Sequence, residues 1–185
     1  MGADDNGSKA SSLFEGWDNF FVMIGSAAGG LIGLLFIVVT LTAGTDRARV
    51  ARGQQLYMTP IALSFACVLT ISGIAIAPRV PTIAAAALIG ATALVGFVNN
   101  WVALLGIRNP PASGEPPHWS DLWMYGVAPT VLYLALIASS LTVAFAVPGA
   151  TDAVAVLVMA LLLVGIRNAW DLATWIAPRR PGLPG

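Results

Sequence analysis

Five apolar stretches, each near the length a helix needs to cross a lipid bilayer, leave this 185-residue chain little choice of fold. A crossing helix takes roughly 20 mostly apolar residues. The stretches run over 20–43, 56–77, 82–107, 122–147 and 153–177. Hydrophobic residues make up 57% of the chain and charged ones 10%, against about 25% charged in an average soluble domain. No water-soluble core of this size hides so much apolar surface. The expected fold class is therefore all-α, a polytopic membrane helix bundle with five transmembrane helices. A disordered polar tail is expected over 1–17, a single transmembrane helical domain over 18–177, and a short basic C-terminal tail over 178–185.

Punctuation residues support these limits. Asp18 or Asn19 is suited to cap the first helix, and Ser120 or Asp121 the fourth. Pro78 closes the second stretch, and Asn109-Pro110-Pro111 closes the third. Pro60 and Pro129 fall early in the second and fourth spans, where each can kink its helix. The fifth stretch is irregular. Its purely apolar part, Ala153 to Ile166, reaches about 21 Å at 1.5 Å per residue, short of a hydrocarbon core of about 30 Å. It is either a full crossing with Arg167 inside the membrane thickness, or a partial one with Trp170 to Trp175 along the surface.

Charge sets the expected orientation. One side of the bundle carries Lys9 and Arg79; the other carries Arg47, Arg49, Arg52, Arg108, Arg179 and Arg180. Cytoplasmic loops carry the excess of basic residues, so the N-terminus is expected outside and the C-terminus in the cytoplasm. Trp17, Phe20 and Phe21 near one end, and Tyr57, Trp119, Trp123, Tyr125 and Trp175 near the other, fit belts of interfacial aromatics. The opening residues lack the positive region of a secretory signal, so the first span is expected to be retained. Abundant Ala and Gly, with Arg replacing Lys almost throughout, match a GC-rich bacterial coding bias. The expected location is a bacterial cytoplasmic (inner) membrane.

Several functions are disfavoured by composition. The formal net charge is zero, so no basic field invites nucleic acid. The single cysteine, Cys67, and single histidine, His118, build neither a disulfide framework, a bis-histidine haem nor a metal cluster. No cofactor and no metal is expected. Phosphate-loop, nucleophile-elbow and zinc-protease motifs are absent, so the chain is expected to be non-enzymatic.

What remains is a seam and a set of costly polar residues. Gly25, Gly29 and Gly33 recur every fourth position in the first span. Such stripes let helix backbones approach in lipid, where no hydrophobic force drives association. They serve either another helix of the chain or a second subunit. Asn99, Asn100 and Arg108 in the third span, with Arg167, Asn168 and Asp171 in the fifth, are the candidate pathway or ligand residues. Ionisable groups in a span point to function by default. Their structural alternatives are interhelical bonds for the asparagines, snorkelling for Arg167 and neutralisation by Asp171 four residues on. Gly90-Ala91-Thr92 and Gly106-Ile107-Arg108-Asn109 recur 59 residues later as Gly149-Ala150-Thr151 and Gly165-Ile166-Arg167-Asn168, either a repeat of helical hairpins or chance in a biased composition. The expected partners are the lipid bilayer and a homo-oligomer or membrane-protein partner. The expected function is an oligomeric channel or transport-type component, or alternatively an accessory or scaffold subunit of a larger membrane complex.

Overall fold

The computed structural model describes residues 14, 16–42, 58–108 and 122–176. Among them, five helices are long and apolar enough to cross a membrane. They comprise α1 (Asp18–Thr42), α2 (Thr59–Ile76), α3 (Thr82–Arg108), α4 (Ala128–Ala144, spanning together with the helical turn before it) and α5 (Ala150–Ile176). A turn of π-helix, Leu122–Val127, feeds directly into α4. The five windows have mean hydropathies of 1.8 to 2.4. With 27 residues, α5 reaches about 40 Å at 1.5 Å per residue. It runs unbroken through Arg167, which makes it long enough for a full crossing. The expected caps Ser120 and Asp121, together with Tyr57, His118 and Trp119, lie outside the described residues. Asp18 is not a cap but the first residue of α1, whose first turn it supplies with negative charge.

The helices alternate in direction, so the bundle has two ends. One holds Trp17, the α2–α3 turn and the α4–α5 turn; here it is called the Trp17 end. The other holds the last turn of α3 and the π turn, and is called the π-turn end. Pro60 lies in the first turn of α2, a position where proline is tolerated. At the Trp17 end α4 stops in a Schellman arrangement. The Val147 N–H donates to Thr142 O at 3.0 Å and the Ala146 N–H to Val143 O at 3.0 Å. Ala146 takes the left-handed conformation there, φ 50°, a place usually given to glycine.

Two close pairs, α1 with α2 and α3 with α4, are joined through α2 and α5. Tyr133, Phe65, Ile71, Leu136 and Leu161 are fully buried at the centre. Phe21 joins them, although its position suggested an interfacial anchor; it stacks edge-on against Phe14 and Phe20. Single glycines set the closest approaches. A Cβ on Gly25 would lie 3.0 Å from Ser72 Cβ, on Gly90 2.8 Å from Ser140 Oγ, on Gly96 2.2 Å from the Tyr133 ring, and on Gly165 2.7 Å from Phe65. Outward-facing Phe36, Val95, Val131 and Val156 present an apolar surface that lipid accepts and water does not. The 59-residue echo fails at its first match. Gly90 lies inside α3, whereas Gly149 forms the left-handed turn (φ 82°) before α5.

Candidate functional site

Pro129 organises the polar interior. It has no N–H to return to the preceding turn, and its ring crowds the carbonyl four residues back. The chain upstream widens into a π turn over Leu122–Val127, in which the carbonyl left without a donor lies five residues back rather than four. That carbonyl is Met124 O. It accepts a hydrogen bond from Asn168 Nδ2 on α5 at 2.9 Å. Asn168 thus supplies the donor that proline cannot.

A second asparagine secures the same turn from the other side. Asn100 Nδ2 on α3 donates to Gly126 O at 2.9 Å and to Thr130 Oγ1 at 2.8 Å. Thr130 Oγ1 donates in turn to Gly126 O at 2.7 Å. Tyr125 Oη reaches across to donate to Asn168 O at 2.9 Å. These bonds tie α3, the π turn and α5 together. A Cβ on Gly126 would lie 2.3 Å from Leu104 Cδ1, so a larger residue there would displace the end of the Leu104 side chain. Below the knot, Tyr133 Oη donates to Ser64 Oγ at 3.0 Å, and Ser64 Oγ to Pro60 O at 2.9 Å, linking α4 to α2.

Pro60, Ser64, Asn100, Tyr125, Pro129 and Asn168 surround a cavity of about 10 Å³. Asn100 and Asn168 are 2% and 3% exposed, and Asn168 Oδ1 is buried without a hydrogen-bond partner.

The sequence candidates therefore divide. Asn100 and Asn168 come together at one cavity, whose lining does not include the half-buried Asn99. Arg167 and Asp171 turn outward. They pair with each other at 3.3 Å, with side chains 46% and 44% exposed. Arg167 lies 17 positions after Ala150, about 25 Å along the helix, so its guanidinium is within snorkelling reach of a headgroup layer. Arg108 ends α3, and its side chain lies outside the described residues. Among the described residues, no group of three or more His, Cys, Asp or Glu is placed to hold a metal. Comparison with protein-family models, curated proteins and solved structures finds no match.

Sequence reasoning missed Tyr125, Thr130 and Gly126. Tyr125 resembled an interfacial anchor but is buried, 9% exposed. The available signal was Gly126 three residues before Pro129 inside an apolar run, a spacing that places a pliable backbone where the proline forces a carbonyl free.

The glycine seam also divides. Gly25 packs on α2, while a Cβ on Gly29 or Gly33 would meet nothing within 4 Å. A step of four residues turns 40° beyond a full helical turn, so the stripe rotates away from α2 as it descends.

Proposed function

We propose that this protein is a non-enzymatic assembly component of a bacterial inner membrane, an accessory or scaffold subunit whose copies associate through the outer face of α1. The observation that carries this is the open course of the seam: among the described residues, no side chain comes within 4 Å of a Cβ built on Gly29 or Gly33. Four glycines in one span, Gly25, Gly29, Gly30 and Gly33, weaken a helix by roughly 1 kcal/mol each relative to alanine. Close contact with a second helix offsets that cost. Only 17% of the apolar window of α1 is buried within the chain, against 33–50% for the others, which leaves α1 the most room for a partner. The inner polar residues support the same reading from the opposite direction, since Asn100 and Asn168 are engaged in tying helices together. The arginine count of the sequence favours a cytoplasmic π-turn end and an outer Trp17 end.

The test is the oligomeric state in nanodiscs by single-molecule photobleaching. Wild type is expected to be oligomeric and Gly29→Leu monomeric at unchanged helicity. A monomeric wild type, or an oligomer that survives Gly29→Leu, contradicts assembly through this face.

The half-exposed Arg167–Asp171 pair on the outside of the bundle favours a second reading, a channel or transport-type oligomer whose pathway forms between copies. Liposome flux would then fall at least tenfold in Asp171→Asn; equal flux in the variant and wild type removes this reading.

A further inference from the structure

We propose that the cavity beneath the π turn is a binding site for one water molecule, held between Asn100 on α3 and Asn168 on α5. The two side chains line the cavity together, and the Asn168 amide oxygen is buried there without a donor. Both bonds from Asn100 Nδ2 are taken, by Gly126 O and Thr130 Oγ1, so toward an occupant this amide acts as an acceptor, through Oδ1. Asn168 Nδ2 serves Met124 O, and its Oδ1 is buried with no donor from the chain. A buried amide oxygen without a donor is costly, and buried polar groups in proteins find partners in the chain or in ordered water.

The hydroxyls around the cavity do not supply that donor. Tyr125 Oη donates to Asn168 O, and Ser64 Oγ donates to Pro60 O. The occupant must therefore bring its own protons. Its size is set by the cavity, about 10 Å³, the lower limit for a single water. Two protons on one oxygen match two amide oxygens at one cavity. An alkali or divalent cation fits poorly: hard cations gather six or more oxygens, and no carboxylate lines this cavity. An anion would face amide oxygens. The water completes a belt from α3 through the π turn to α5, and it hydrates the place where Pro129 breaks the regular backbone ladder.

This inference is independent of assembly through α1, since every group in it belongs to one chain. The experiment is water–amide cross-relaxation NMR on wild-type protein with side-chain-labelled asparagine in nanodiscs, supported by a crystal structure grown from a lipidic mesophase. The side-chain protons of both Asn100 and Asn168 are expected to show cross-peaks to a long-lived water, and density for one water is expected within hydrogen-bond distance of both Oδ1 atoms. The signals are expected to persist when sodium and potassium are replaced by choline. Absence of the cross-peaks, an empty cavity in well-resolved density, or a signal that disappears with the alkali cation each overturns the proposal.

Discussion

Gly96 and Tyr133 show how tightly single residues govern this bundle. The Tyr133 ring lies where a Gly96 side chain would begin, 2.2 Å from the position of a Cβ. This approach lets the tyrosine cross between α3 and α4 and place its hydroxyl on Ser64. Gly96→Ala is expected to push the ring aside, break the Tyr133–Ser64 bond and destabilise the protein by about 1–3 kcal/mol, the usual cost of overpacking a filled core. Thermal unfolding in detergent measures it. An unchanged unfolding temperature would mean that the tyrosine has room to move, and that the bond to Ser64 contributes little. The same residue-level logic separates the two asparagine neighbours. Adjacent positions on a helix point 100° apart, so Asn100 enters the core while Asn99 remains half-buried.

At the scale of the element, the π turn and α4 form a unit completed by α5. If Asn168 replaces the donor that Pro129 lacks, the two residues are energetically coupled. Asn168→Leu alone is expected to cost about 1–3 kcal/mol, because Met124 O loses its donor. In a Pro129→Ala background a backbone N–H returns, and the same substitution is expected to cost less than half as much. Equal costs in the two backgrounds would mean that Asn168 stabilises the bundle for another reason. This element also marks how far the sequence could be read. Helix positions followed from apolar length and proline stops, because lipid demands continuous runs. Asn100 and Asn168 stood out because an amide in lipid needs a partner. Their partner did not stand out, since a backbone carbonyl freed by a π turn carries no sequence signature beyond the Gly126–Pro129 spacing. Tyr125 was legible as an amphipathic ring but not as a buried one, because facing inward depends on the rotation that the π turn adds. The rotation of the glycine stripe away from α2 was implicit in its four-residue spacing. Which glycine would meet Ser72 depended on the crossing point of two helices.

For the whole molecule, the interior is closed and the outside is informative. Inside the bundle Asn100, Tyr125, Tyr133 and Asn168 bond across helices. The paired Arg167 and Asp171 neutralise each other on the outer surface, and the rest of that surface is apolar enough to be solvated by lipid. Against this uniform exterior, α1 differs by backbone rather than side chain. Gly25 is taken up by α2, Gly29 and Gly33 are open, and Ile37 continues the stripe at 55% exposure. Close packing of small residues is the means by which membrane helices associate, so the central claim is that copies meet along this line. Cys67 is buried and is the sole cysteine, which makes a Cys67→Ala background suitable for mapping contacts. Oxidative cross-linking in native membranes compares Ile37→Cys on the stripe with Val98→Cys, equally exposed on α3 at 53%. Cross-linked dimers are expected from Ile37→Cys and not from Val98→Cys. Dimers from Val98→Cys alone, or from both positions equally, would contradict assembly along the α1 glycine face.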